Sequence, residues 1–196
     1  MSYQALMADI EAGDTIVIDG ATGTELQRRG VPMYPGAWCA VATEVNPTVL
    51  QQIHEDYIRA GSRVVTANTF ATTREVLHSV GLAHKFESLN RQAVEVAVAA
   101  RDAAQGQRPV LVAGSISTTR PSGAYSSRMT NPGQFEADCN EMAAIHKAAG
   151  CDFILGEMLG HPEYSPCVVR AAKANDLPVW IGISALRRED GTLGTY

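Results

Sequence analysis

The chain has 196 residues, which is enough for one domain or for most of one large domain. Its apolar fraction of 45% is typical of a globular chain with a buried core, and no apolar run reaches the ~18 residues that a membrane span needs. Because 16 Lys and Arg residues stand against 21 Asp and Glu residues, the net charge of −5 argues against binding to nucleic acid or anionic membranes.

Short β-branched runs alternate with longer helical stretches, beginning after a short amphipathic helix at the N-terminus. Strands are predicted at residues 15–19, 63–66, 109–113, 152–155 and 178–183. Helices are predicted from Asn46 to Gly61, from Lys85 to Ala104, from Asn131 to Gly150 and from His161 to Asn175. Asn-Pro pairs mark two helix starts and glycine marks two helix ends. Residues 115–130, rich in Ser, Thr, Gly and Arg, are predicted to form a loop.

Strands that alternate with helices through short connections indicate right-handed βαβ units and a parallel sheet. Two α/β architectures fit this pattern, an open doubly wound sheet and a (β/α) barrel. In both, ligands bind at the carboxyl ends of the strands. That rule selects residues 19–23, residues 68–70, Gly114-Ser115, Glu157 and Ser184 as candidates for a site.

The first of these segments, Asp19-Gly20-Ala21-Thr22-Gly23, suits an amino-acid ligand. Its backbone amides could receive a carboxylate. Asp19 and Glu157 end two different strands, and such an acid could receive an ammonium group. The alternative is that Asp19 only caps the following turn and that Glu157 pairs with a nearby Lys or Arg.

Several common chemistries lack their motifs in this sequence. It contains no P-loop, no GxGxxG turn, no GxSxG elbow and no lysine at a strand end. His54 and His146 lie within amphipathic helices, where packing or surface roles are expected, whereas His161 either lines the site or simply starts a helix. Because the N-terminus lacks a secretory signal, we expect a cytoplasmic location and free thiols.

Five segments in order resemble the homocysteine S-methyltransferase family over nearly the whole chain. They are IDGATGTELQRRG, NPTVLQQIHEDYIRAGSRVVTANTF, VAGSIS, GCDFILGEM and LPVWIGIS. The resemblance implies a (β/α)8 barrel of the TIM type that transfers a methyl group to the thiol of homocysteine to form methionine. The family's donors include S-methylmethionine and S-adenosylmethionine. This sequence shows no folate or cobalamin module, which favours one of these two sulfonium donors.

The resemblance also implies positions for the substrate. Asp19, Gly20 and Ala21 match the family's first-strand loop, which holds the amino-acid end of homocysteine. Glu157 matches the acid that receives its ammonium group. Asn68 and Thr69 match a segment near the pocket.

The family holds zinc with three cysteines, one in a GVNC-like segment and two in a Cys-Cys pair near the end of the barrel. Neither motif occurs here, because Cys39, Cys139, Cys151 and Cys167 fall elsewhere. About five βα units are visible where a barrel needs eight. We therefore expect one partial barrel domain over residues 1–196, without the C-terminal part that carries the zinc ligands. Exposed sheet edges would make such a chain marginally stable and prone to association.

Two alternatives to the methyltransferase remain open at this point. One is a non-catalytic remnant that binds an amino acid, or half of a split barrel. The other is a different barrel enzyme that uses Asp19 and Glu157 as an acid–base pair without a metal.

Overall fold

The computed structural model describes residues 2–104, 108–118 and 131–195. Its helices are α1 Tyr3–Glu11, α2 Thr22–Arg28, α3 Ala42–Val45, α4 Pro47–Arg59, α5 Arg74–Ser79, α6 Phe86–Ala103, α7 Pro132–Ala149 and α8 Ser165–Ala174, with a 3₁₀ turn at Ala83–Lys85. Its strands are β1 Val64–Thr66, β2 Leu111–Ser117, β3 Phe153–Glu157, β4 Val179–Ile181, β5 Ala185–Arg187 and β6 Leu193–Thr195. Most of the predicted 115–130 loop, residues 119–130, lies outside the described residues.

The main sheet has the order β1-β2-β3-β4, and all three of its strand pairs are parallel. The predicted parallel α/β fold is therefore confirmed. The strand order follows the chain order without a reversal. A doubly wound sheet reverses its order at a switch point, so the sequential order is that of a barrel segment.

Residues 15–19 lie beside β1 but form only one bridge, between Ile18 and Val64. The prediction of a full strand at residues 15–19 was therefore wrong in its extent. At the end of this segment the Asp19 side chain, rather than its backbone, accepts a hydrogen bond from the Thr66 backbone N–H. Regular pairing therefore stops at this point, and the side chain ties the segment to β1.

The ends of other elements also differ from the prediction. β2 continues to Ser117 and β3 to Glu157, because Ser115 pairs with Leu155 and Ser117 pairs with Glu157 along a shared ladder. The predicted helix start at His161 is four residues before the observed start of α8 at Ser165. The N–H of Ser165 donates to the carbonyl of His161 at 2.9 Å, which closes a turn before α8 begins. The antiparallel pair β5–β6 was not predicted.

The sheet separates two apolar layers. Its outer face, which includes Val65, Val112 and Ile154, packs in one cluster with buried residues of α6, α7 and α8. Its inner face contributes the first residues of three strands to a cluster with Leu6 of α1 and Trp180. Because α1 thus covers the amino ends of the strands, their carboxyl ends are left for a site. No helix in the described part of the chain is both long and apolar enough to cross a membrane.

Candidate active site

Two carboxylates lie at the carboxyl ends of segment 15–19 and of β3, and a hydroxyl from the adjacent strand donates to each of them. Glu157 is the last residue of β3, and the Ser115 hydroxyl of β2 donates to its Oε2. Asp19 accepts two hydrogen bonds from Thr66, from the backbone N–H at 2.6 Å and from Oγ1 at 2.8 Å. Both acids were predicted from the sequence, but their hydroxyl partners were not. Strand register decides which hydroxyl faces which acid.

The electrostatics of this pair favour a cationic ligand. Burial raises the pKa of Asp19 to about 6 against the hydrogen bonds from Thr66, and the charge of Glu157 adds to the rise. Burial also raises the pKa of Glu157, although the bond from Ser115 opposes that rise. Among the described residues neither acid forms an ion pair with Lys or Arg. Partly buried carboxylates with raised pKa values and no cationic partner are a usual sign of a binding site.

The raised pKa of Asp19 predicts a specific dependence of stability on pH. Between about pH 4 and pH 6 the folded chain keeps a proton on Asp19 that the unfolded chain has lost. The free energy of unfolding should therefore fall as pH rises through this range, by at most about 3 kcal/mol from this group. Urea unfolding at several pH values should show a smaller fall in Asp19→Asn than in wild type.

A control variant for this titration is Glu11→Gln, because Glu11 is exposed at the end of α1. It should keep the wild-type slope. An Asp19→Asn variant with the wild-type slope would contradict the assignment.

The loop after Asp19 approaches the Tyr57 side chain of α4 closely. A Cβ on Gly20 would lie 2.8 Å from the Tyr57 hydroxyl, and that hydroxyl donates to the carbonyl of Ala21 at 3.3 Å. Ala21 then precedes α2, whose first turn has no side-chain cap. The first amides of a helix lack intrahelical partners, so those of α2 can receive an anion.

Asn68 and Thr69 lie directly after β1, but their side chains are used internally. The Asn68 amide donates to the Cys39 carbonyl at 3.0 Å and to Thr43 Oγ1 at 3.2 Å. The Thr69 hydroxyl bonds to both the N–H and the carbonyl of Ser115. In this structure both residues therefore support the site, and direct contact with a substrate stays a prediction.

The histidines named above occupy two kinds of environment, the packed interior and the turn before α8. His54 and His146 are fully buried, so of the two roles predicted for them, packing or surface, the structure shows packing. The His161 ring packs edge-on against Tyr164 with centroids 4.7 Å apart, and its Nδ1 accepts from the Glu163 N–H at 3.3 Å. This places His161 in the turn that precedes α8.

Comparison with known proteins identifies the family. The family model described as homocysteine S-methyltransferase matches residues 16–195. The chain belongs to the homocysteine S-methyltransferase family. This confirms the resemblance that the five sequence segments indicated.

Sequence identity and coverage were compared with individual members of this family. The enzyme of Escherichia coli is 30% identical over 173 residues, covering 82% of this chain and 54% of the relative. Homocysteine S-methyltransferase 4 of Zea mays is 32% identical over 138 residues, covering 65% and 39%. The metallated crystal structure of the Escherichia coli homocysteine methyltransferase MmuM superimposes with a TM-score of 0.76 at 26% identity, covering 90% of this chain and 65% of that one. The chain thus spans between 39% and 54% of the length of these two curated relatives.

The metallated form of that homocysteine methyltransferase raises the question of a metal site here. Within the described ranges, no three His, Cys, Asp or Glu side chains come together as a metal would need. All four cysteines are buried and free: Cys39, Cys139, Cys151 and Cys167. Burial raises the pKa of the Cys39 thiol, the one near Glu157, to about 12, which is the opposite of what a metal-binding thiolate needs. These residues do not fit a zinc centre.

Proposed function

We propose that this chain carries the homocysteine-binding part of a homocysteine S-methyltransferase. The observation that supports this most strongly is Glu157, a partly buried carboxylate at a strand end whose only hydrogen-bond partner in the described part of the chain is Ser115. A partly buried acid in that position suits a ligand that brings its own positive charge. The family match and the uncapped amides of α2 support the same proposal.

In this proposal the two ends of the amino acid are held by different groups. The ammonium group of homocysteine donates to Glu157, and its carboxylate accepts from backbone amides within residues 20–23. Asp19 lies close enough to Glu157 for their charges to interact, so it adds to the attraction for the ammonium group. Gly20 and Ala21 contribute backbone, and Asn68 and Thr69 keep the neighbouring segments in place.

The reaction proposed for the family moves one methyl group between two sulfur atoms. The homocysteine sulfur forms a bond to the methyl carbon, while the bond from that carbon to the donor sulfonium breaks and leaves its electron pair on the donor sulfur. The thiol proton is released. Residues of this chain would bind and orient homocysteine, and a sulfonium such as S-methylmethionine or S-adenosylmethionine is the proposed donor.

The main alternative is a chain that binds the amino acid without turning it over. The buried, high-pKa thiol of Cys39 favours this alternative, because none of the site residues described above would activate the substrate thiol. An assay with homocysteine and S-methylmethionine, with methionine as the product and the metal content measured in the same sample, separates the two. Methionine formation by a zinc-loaded chain would exclude the non-catalytic alternative, and binding without turnover would support it.

We also propose that the chain is one partial barrel domain, with five of eight βα units, that associates through its sheet edges. Large apolar side chains are exposed at both edges of the sheet: Val17 52% and Ile18 44% at one, Ile181 53% and Ile183 65% at the other. Exposed strand edges with apolar side chains invite pairing. The proposal includes a cytoplasmic location.

This proposal predicts concentration-dependent association in sedimentation velocity experiments. Replacing Ile183 by Lys removes one apolar side chain from the edge and should raise the dissociation constant roughly tenfold. Leu193→Lys is the control, because Leu193 is equally exposed but lies in the β5–β6 hairpin. A chain that stays monomeric at every concentration and melts cooperatively would contradict the proposal.

A further inference from the structure

The hydrogen bond between Ser115 and Glu157 joins two strands at the point where the ligand is expected. Ser115 is fully buried, and its hydroxyl donates to Glu157 Oε2. We propose that Ser115 is a positioning residue for the amino-acid ligand: it holds one oxygen of Glu157 and thereby leaves the other, Oε1, to accept the ammonium group. This inference rests on the proposed function, which it deepens.

Ser115 can act in this way because its own backbone is fixed by a second hydroxyl. Thr69 Oγ1 donates to the Ser115 carbonyl at 2.8 Å and accepts from the Ser115 N–H at 3.0 Å. Thr69 is also fully buried. The Thr69 hydroxyl thus donates its proton to the Ser115 carbonyl and uses a lone pair to accept from the Ser115 N–H. The segment after β1 therefore sets the position of Ser115 on β2, and Ser115 sets the carboxylate on β3.

Asp19 and Glu157 differ in how many of their carboxylate oxygens already accept a hydrogen bond from the described residues. Both oxygens of Asp19 already accept a bond from Thr66, at 2.6 and 2.8 Å. Glu157 accepts only one bond from the described residues, on Oε2. A primary ammonium group has three donors and needs acceptors with free lone pairs. Glu157 is for this reason the better primary acceptor, and Asp19 contributes mainly charge.

The proposed role has an electrostatic consequence that a merely space-filling serine would not have. A donor to a carboxylate stabilises its charged form, so removing the Ser115 hydroxyl should raise the pKa of Glu157. Among the described residues, two titratable groups on other elements interact electrostatically with Glu157, namely Asp19 and Cys39. Cys39 stays neutral because its pKa is raised to about 12, whereas Asp19 titrates and has to be followed in the same experiment.

The direct test is a pH titration of the side-chain carboxyl carbons by ¹³C NMR in the full chain. The Glu157 signal is identified by its loss in Glu157→Gln, and that of Asp19 by its loss in Asp19→Asn. In Ser115→Ala the Glu157 midpoint should move to higher pH. In the control Ser62→Ala, which removes another buried serine before β1, it should stay in place.

A Ser115→Ala chain that folds with an unchanged Glu157 midpoint would overturn the proposal. If Ser115→Ala does not fold, Ser115→Cys is measured instead, because a thiol fills the position of the hydroxyl but donates only weakly. It should move the midpoint in the same direction, and no movement in that variant would overturn the proposal equally.

Homocysteine calorimetry then separates this inference from the proposed function. If wild type binds homocysteine, Ser115→Ala should bind it about tenfold more weakly at neutral pH, with Ser62→Ala unchanged. Equal affinity in Ser115→Ala would refute the positioning role while leaving the proposed function intact. A wild-type chain that does not bind homocysteine would refute the proposed function, and the NMR titration would still decide whether Ser115 holds Glu157.

Discussion

Replacing Glu157 by glutamine is expected to weaken homocysteine binding by about 2–5 kcal/mol, which is roughly thirtyfold or more. Glutamine keeps the length of the side chain and an oxygen that can accept from Ser115. It removes the negative charge, so a buried ammonium group would lose its charged partner. Isothermal titration calorimetry of homocysteine into each variant measures the loss.

The matched control for this variant is Glu163→Gln. Glu163 is an exposed glutamate in the turn before α8, six residues further along the chain. It should bind homocysteine as tightly as wild type. If Glu157→Gln kept wild-type affinity, Glu157 would have to be removed from the site.

Replacing Gly114 by alanine is expected to destabilise the fold by about 1–3 kcal/mol. A Cβ on Gly114 would lie 2.4 Å from Nδ1 of His146. The ring cannot easily move away, because its Nε2 lies 3.0 Å from Asn90 Oδ1 and the Asn90 amide donates to the carbonyls of Thr72 and Phe86. Burial lowers the pKa of His146 to about 3, so the ring is neutral. Urea unfolding measures the change.

Two further variants show whether the clash with His146 is the cause. Gly133→Ala, in the exposed first turn of α7, should cost little, since its nearest neighbour is the Asn131 side-chain oxygen at 3.3 Å. In a His146→Ala background the cost of Gly114→Ala should shrink, because the ring that fills the Cβ position is gone. Equal costs in both backgrounds would show that another contact determines the effect.

Helix ends were predictable because their signals are local. α7 begins at Pro132 after Asn131, whose side chain accepts from the Gln134 N–H at 2.9 Å. It ends at Ala149 and is capped by Gly150, which adopts a left-handed conformation with φ of 99°. Each of these features depends on residues within one turn, so the sequence alone carries them.

The ends of the strands and the partners of the acids depend on contacts between distant segments. β2 runs to Ser117 only because β3 pairs with it. The hydroxyls that hold Asp19 and Glu157 come from residues 47 and 42 positions away. A pattern read along one strand shows which residues could line a site, but pairing register decides which of them meet.

The buried network around His146 shows the same limit. Its position in an amphipathic helix predicted a packing or surface role, and the structure shows a fully buried ring. The hydrogen bond to Asn90 joins α7 to α6 across 56 residues and could not be predicted from spacing. Gly114 is glycine because this ring occupies its Cβ position, a requirement that only the tertiary structure explains.

We propose that the carboxyl ends of these strands form a pocket for the amino-acid end of homocysteine. Calorimetric titration of the wild-type chain with homocysteine and with 4-mercaptobutyric acid, which has the same thiol and carboxylate but no ammonium group, tests it most directly. We predict saturable binding of one homocysteine per chain and no detectable binding of 4-mercaptobutyric acid at concentrations that saturate the first. Equal binding of the two compounds, or no binding of homocysteine, would contradict the account.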